Sequence, residues 1–415
     1  MIEARGVTKV FGLPDQKAVQ RLANGAAGRE AIAADGGVVA VDDVSFTVQT
    51  GELFVIMGLS GSGKSTLIRM VNRLIEPTSG TVVIDGEDVR EMSDKALRSL
   101  RNRRVNMVFQ HFALFPHRSI RDNVAYGLKT RGVSSRERLE KANRALEQVG
   151  LGHRGDAFPD ELSGGQQQRV GLARALATDA DVLLMDEPFS ALDPLIRRDM
   201  QNLLLDLQGE FRKTILFVTH DLNEAMRIGD RIMVMKDGGS VQMGTGPEIL
   251  ADPATDYVRE FVADVDRTRV ITAATIMRDP LAVATVDEEP RQALKKLEGV
   301  AASGLYVLDA DRHVLGVAKD EALARAAGSA KDLRSVLVDD YESVTEDTPV
   351  VGFAHLSGNH PVPLGVLDAE SRLIGVVPRA AILAAISGDN GTEPQEVSDT
   401  DATTGGGGEK VTENA

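Results

Sequence analysis

At 415 residues the chain is too long for one ordinary core, which predicts two or three domains. A composition of 42% hydrophobic and 26% charged residues is that of a globular protein, and a formal charge of -15 argues against a nucleic-acid partner, whose phosphates require a basic face. There is no cysteine, which removes disulfides and thiolate metal sites and fits a reducing compartment.

The opening Met1-Ile-Glu-Ala-Arg-Gly6 lacks the apolar stretch of a secretory signal, and no window approaches the roughly 20 apolar residues of a membrane span. A soluble chain is expected, one that reaches a membrane only through a partner.

Residues 1–12 and 38–57 read as strands. Phe46 alternates with Val44 and Val48 and belongs to the core, while Leu53 to Met57 is a wholly apolar run, suited to a parallel sheet covered on both faces. Between them, 13–37 is polar and Ala-rich, a helical insertion. Directly after Met57 comes Gly58-Leu-Ser60-Gly61-Ser-Gly63-Lys64-Ser65-Thr66, opening a helix that continues to residue 74. Glycines let backbone N–H groups converge on phosphate oxygens, and the helix N-terminus adds its dipole. Lys64 is placed to reach the β- and γ-phosphates, and the Ser65 hydroxyl to ligate Mg²⁺. This loop indicates a nucleoside triphosphate and no more.

A strand at 81–84 follows, then a helix over 134–150 with Leu139, Ala142, Leu146 and Val149 on one face. The segment Leu162-Ser163-Gly-Gly165-Gln-Gln-Gln-Arg169 opens a helix to residue 177; a serine with two glycines there is an N-cap or an anion site. Val182 to Met185 is an apolar strand ending in Asp186-Glu187. That end sets Asp186 beside the metal and Glu187 where it can take a proton from the attacking water. A helix at 194–209 and strands at 214–218 and 232–235 follow, the last of them read as closing the domain. Strands alternating with helices give an α/β sandwich with a mostly parallel central sheet.

From about 268 the texture changes to an internal repeat, with copies at about 270–327 and 330–387. Each has a Val/Thr strand, a helix, and a hairpin: 305–309 with 314–317, and 364–368 with 373–376. Residues 388–415 are Gly, Thr, Glu and Asp, a disordered acidic tail by composition.

Taken with the phosphate loop, the segment 162–166 resembles the LSGGQ motif of the ATP-binding cassette family. The resemblance covers about residues 1–265, and Gln110, Ser190-Ala-Leu-Asp193 and His220 match further family elements in family order. It implies a P-loop NTPase cassette with a helical subdomain at about 95–180, binding ATP and Mg²⁺. In such a family two cassettes dimerise head to tail, each ATP lying between the loop of one and Ser163 and Gly165 of the other. The resemblance assigns Glu187, His220 and Lys64 to catalysis and Ser65, Gln110 and Asp186 to the metal. It assigns Asp193 to the nucleotide site and Phe11 to stacking on adenine.

The insertion at 13–37, the stretch Asn72-Arg-Leu-Ile-Glu-Pro77 and the segment Gln110 to His117 are similar to those of glycine betaine/proline betaine importer ATPases. The repeat at 270–387 looks like a tandem CBS module, an α+β pair. These likenesses imply a peripheral subunit on the cytoplasmic face of the membrane, held by permease subunits and served by an extracytoplasmic binding protein. Importers of choline, carnitine or an amino acid, or a non-transport cassette ATPase, are the alternatives. In the two repeat endings, Gly316-Val-Ala-Lys319 and Gly375-Val-Val-Pro378, the hydroxyl and ribose carboxylate usual in adenosine-binding copies are replaced. Simple AMP or ATP binding is therefore not expected there. Ionic strength, a cyclic dinucleotide, or dimerisation without a ligand remain open.

Overall fold

The computed structural model describes every residue except 111–112, 264, 299, 301, 330–331, 357–359 and 388–415. The expected acidic tail thus lies outside the described residues, as do two residues of the segment 110–117. The chain divides into two compact units, Met1–Thr275 with Asp347–Gly352, and Ile276–Glu346 with residues from Phe353 onward. The first unit runs past residue 265, the end expected from the sequence. It does so because the Ala273 N–H donates to the Thr348 carbonyl and the Val350 N–H to that of Ile271, each at 2.9 Å, so a later segment is stitched into it.

The first unit is built on ten strands: β1 (Ile2–Phe11), β2 (Val38–Val48), β3 (Leu53–Met57), β4 (Ser79–Ile84), β5 (Glu87–Asp88), β6 (Val105–Val108), β7 (Val182–Asp186), β8 (Thr214–Thr219), β9 (Arg231–Lys236) and β10 (Gly239–Gly244). Six form one sheet in the order β10-β9-β3-β8-β7-β6, parallel from β9 to β6, with β10 antiparallel at the edge. The other four form an antiparallel sheet, β2-β1-β4-β5. The sequence reading named the parallel sheet but not this second one.

The apolar runs of the central strands divide by alternation, as the period of a strand requires. Leu53, Val55, Met57, Leu183, Met185, Ile215 and Phe217 face one core, which the helices Ile120–Thr130, Ser135–Gln148, Gly164–Ala177 and Pro194–Phe211 cover. Phe54, Ile56, Leu184, Leu216 and Val218 face the other, filled from the helix Lys64–Val71 and the antiparallel sheet. Phe46 is in that second core, its ring stacked on Phe54 at 5.4 Å, as its alternation predicts.

Three expectations need correction. The segment 95–180 is not helical throughout, because β6 within it pairs with β7 in the central sheet. The helix expected over 66–74 spans Lys64–Val71, since Gly63 at φ 95° caps its start in a left-handed conformation and Asn72 ends it. The strand at 232–235 is not the last, because Asp237 and Gly238, both at positive φ, turn the chain back into β10. An Asp-Gly pair after an apolar run is a hairpin signal, and here it forms the turn between β9 and β10. The insertion is helical, as Asp15–Leu22 and Gly25–Ala34.

The second unit repeats one pattern twice. In the first copy β11 (Val283–Thr285) pairs in parallel with β12 (Gly304–Leu308), which pairs antiparallel with β13 (Val314–Lys319) and through it β14 (Leu337–Val338). In the second copy β15 (Ser343–Thr345), β16 (Leu364–Leu367) and β17 (Leu373–Val377) pair in the same way. The hairpin tips are equivalent: Asp309 accepts from the N–H groups of Asp311 and His313, and Asp368 from those of Glu370 and Arg372. The two copies meet at a bridge between His313 and Arg372 and at a hydrogen bond from the Tyr306 hydroxyl to the Pro363 carbonyl, 2.7 Å.

Candidate functional site: the carboxyl edge of the parallel sheet

In an open parallel sheet, ligands bind beyond the carboxyl ends of the strands. Three of those ends are placed side by side here by register, with Met57 opposite Thr219 and Asp186 opposite Val218. The residues that follow β3, β7 and β8 are therefore Gly58, Glu187 and His220, brought together from points 129 and 162 positions along the chain from the first.

The loop after β3 can only be drawn with glycines. A Cβ on Gly58 would lie 2.3 Å from the Met235 carbonyl oxygen, and one on Gly63 would lie 2.2 Å from that of Ala40. At Gly61 nothing lies within 4 Å of a Cβ, so the loop is open on that side. Beneath it Lys64 is 3% exposed, its Nζ donating to the carbonyls of Gly58 and Leu59 at 2.8 Å each. Burial lowers its pKa, against the opposing pull of the Glu187 and Asp186 carboxylates. An ammonium held ready under an open backbone loop fits the charge of a triphosphate. Ser60, Ser65 and Thr66 lie on the same loop and helix start.

Asp186 ends β7 and is 1% exposed. Its Oδ2 accepts from Arg69 Nε and Nη2 at 3.1 and 2.9 Å, while its Oδ1 is buried with no hydrogen-bond partner. An orphaned carboxylate oxygen on such a group asks for a cation, and carboxylate and hydroxyl oxygens are the donors that suit Mg²⁺. Asp186 and Ser65 fit that ion. Gln110 is exposed, two residues beyond Val108, itself opposite Met185 in the next strand.

Glu187 has φ 48°, left-handed for a residue with a Cβ, and its N–H donates to the Val218 carbonyl. Such strain persists only where the surroundings fix it. The result is that its carboxylate Oε2 stands 3.0 Å from His220 Nδ1. Two groups singled out separately in the sequence thus form a contacting pair.

The remaining sequence-derived residues are elsewhere on this unit. Ser163 caps the helix Gly164–Ala177 in a reciprocal box with Gln166 and is exposed; Gly165 is buried, where a Cβ would strike Ile196 at 2.4 Å. Asp193 caps Pro194–Phe211, also exposed. Phe11 is 41% exposed at the end of β1, with Lys9 Nζ 5.3 Å above its ring. Among the described residues no hydrogen bond joins Ser163, Asp193 or Gln110 to Lys64, Asp186, Glu187 or His220. The sequence reading missed Arg69, which holds Asp186: it stands outside the loop motif, and only the coordinates show which carboxylate it faces.

Comparison with known proteins agrees with this geometry. A family model described as ABC transporter matches residues 41–190. The chain is 49% identical over 389 residues to the glycine betaine transport ATP-binding protein OpuAA of Bacillus subtilis, covering 94% of this chain and 93% of that one. It is 44% identical over 393 residues to the glycine betaine/proline betaine transport system ATP-binding protein ProV of Salmonella typhimurium, covering 94% and 98%. Among solved structures, the dimeric ATP-binding cassette MJ0796, in a post-hydrolysis state bound to ADP and Pi, matches with a TM-score of 0.50 at 33% identity, over 59% of this chain and 98% of that one.

Proposed function

The chain belongs to the ATP-binding proteins of ABC transporters, and from that premise we propose that it is the energy-coupling ATPase of an importer for glycine betaine and proline betaine-type solutes. The observation that carries the ATPase reading is the meeting of Lys64, Asp186, Glu187 and His220 at one sheet edge. The solute reading rests on near full-length identity to betaine transport proteins.

In this reading the β- and γ-phosphates enter the open loop, and Lys64 exchanges the carbonyls of Gly58 and Leu59 for phosphate oxygens. Because Lys64 is already desolvated, little of its hydration is lost at that moment. Ser65, Gln110 and Asp186 would hold Mg²⁺, which neutralises charge on the phosphates when bound. Glu187 takes the proton of the attacking water, and His220, in contact with it, faces the γ-phosphate. Ser163, exposed where it caps its helix, and Gly165 beside it act on the ATP of a second copy, with Phe11 stacking on the adenine. The dimeric arrangement of the cassette MJ0796 supports that assembly.

A groove of about 740 Å³ lined by His153, Arg154, Phe158 and by Pro116 and His117, the end of the segment that starts at Gln110, is read as a surface for the permease. Among the described residues no helix is long and apolar enough to cross a membrane. The chain is thus read as peripheral, on the cytoplasmic face, with a permease and an extracytoplasmic binding protein completing the importer. Residues 270–387 are read as a tandem CBS pair that regulates it, supported by the matching topology of their two copies.

Uptake of labelled glycine betaine into vesicles carrying this chain with its permease and binding protein tests the solute. ATP-dependent accumulation is expected. Uptake no greater than in vesicles bearing Lys64→Ala would contradict it.

A further inference from the structure

The Glu187–His220 pair is connected to the turn at Leu192 and Asp193 by one side chain that belongs to no motif. Asp193 caps the helix Pro194–Phe211, and Arg197 lies one turn into that helix. Its Nη1 donates to Asp221 Oδ2 at 2.9 Å and its Nη2 to the Leu192 carbonyl at 3.1 Å. Its Nε is buried without a hydrogen-bond partner, so among the described residues these two hydrogen bonds orient the guanidinium plane.

Asp221 is the residue after His220, and both of its ends are used. Its N–H donates to Thr219 Oγ1 at 2.9 Å, and its Oδ1 accepts from the Glu224 N–H at 3.2 Å, capping the helix Leu222–Ile228. His220 therefore sits between a strand end and a helix start whose shared anchor is Asp221. The pair is partly shielded, with Arg197 27% and Asp221 30% exposed, where an ion pair with fixed geometry is worth more than at the open surface.

We propose that Arg197 is a positioning residue for ATP hydrolysis: it fixes His220 relative to the Leu192–Asp193 turn, so that the hydrolytic pair assembles only when that turn is in place. The inference rests on the proposed ATPase reading, in which Asp193 of that turn belongs to the nucleotide site and His220 faces the γ-phosphate. A planar guanidinium can bridge two acceptors at once, which the single ammonium of lysine does poorly.

The test is steady-state ATP hydrolysis by the full transporter in liposomes, for Arg197→Lys, Arg197→Met, Asp221→Asn and the Met/Asn double variant. A misplacement of about 1 Å at a reacting centre costs about 100-fold. Arg197→Met and Asp221→Asn should therefore lose kcat by about 10- to 100-fold with KM for ATP within about threefold. The double variant should lose no more than the worse single, because both break one link. Arg197→Lys, which keeps the charge and folds most readily, should recover only part of kcat. Wild-type kcat in Arg197→Lys and either single variant, losses that multiply in the double, or a rise in KM at constant kcat would each overturn the proposal. The ATPase reading is judged apart, on the wild type alone: turnover no greater than that of Lys64→Ala defeats that reading, whereas wild-type turnover that the variants leave unchanged defeats the Arg197 proposal only.

Discussion

Gly63 is a position in the phosphate loop where one added methyl group meets a backbone oxygen. Its φ of 95° is one that L side chains rarely adopt, and a Cβ there would lie 2.2 Å from the Ala40 carbonyl oxygen, which is backbone and cannot turn aside. Positive φ alone costs an L-residue about 1–2 kcal/mol. Relief of the contact requires the loop to part from β2 by about 1 Å, enough to cost about 100-fold at a reacting centre. Gly86 isolates the first effect: its φ is 85°, and nothing lies within 4 Å of its Cβ. Gly86→Ala should lower the melting temperature by about 2–8 °C, at roughly 2–4 °C per kcal/mol, and leave ATP turnover within twofold. Gly63→Ala should melt lower still and lose about 100-fold in kcat/KM. The assay is phosphate release against ATP concentration, beside a thermal melt of each variant. A Gly63→Ala protein with kcat/KM within threefold of wild type would show that contact with Ala40 does not hold the loop.

Other expectations follow from single contacts. Arg69→Met strips both donors from Asp186 Oδ2 and leaves a buried carboxylate unpaired; with Arg69 itself partly exposed, a loss of about 2–3 kcal/mol in denaturant unfolding is expected, and under about 0.5 would mean another group takes its place. Burial raises the pKa of Glu224 above its ordinary 4.5, against hydrogen bonds from Thr219 and Gln201. Its contribution to stability is whole below pH 4.5 and is lost as pH rises through the raised value, so Glu224→Gln should gain in melting temperature over wild type as pH is raised, and a difference flat from pH 4 to 9 would contradict this. In the second unit, Tyr306→Phe removes the hydrogen bond to Pro363 and should cost about 1 kcal/mol; burial holds the phenol protonated well above its ordinary range, so that cost should not vary between pH 6 and 9.

The elements proposed for catalysis were readable because each is a short chemical statement tied to a strand end: a glycine loop after Leu53–Met57, a carboxylate pair at the end of β7, a histidine after β8. What could not be read was what depends on register. That Glu187 touches His220 follows from Asp186 lying opposite Val218 and Met57 opposite Thr219, and no local pattern states those pairings. Arg69 and Arg197 were invisible for a related reason, since a helical arginine declares its charge but not the carboxylate it faces. β6 was hidden because four residues, Val105 to Val108, give too short a run to stand out between helices. β10 was different: its Asp-Gly turn was a legible hairpin signal, but Gly239-Ser-Val-Gln-Met-Gly carries too few apolar residues to mark a strand by itself. The repeat at 270–387 was seen in sequence because its two hairpins share the pattern Leu-x-Val-Leu-Asp, or Leu-Gly-Val-Leu-Asp, before a short polar tip.

In the proposed reading Glu187, in contact with His220, is the base for hydrolysis of ATP held over Lys64. Glu187→Gln keeps the shape and removes the charge, so the measurement is its ATP turnover beside its ATP affinity. Loss of a positioned general base predicts a fall of about 10²- to 10⁴-fold in turnover, with ATP affinity retained and a stable ATP-bound dimer by light scattering. Turnover within a few-fold of wild type would contradict the claim and return the role of base to another group.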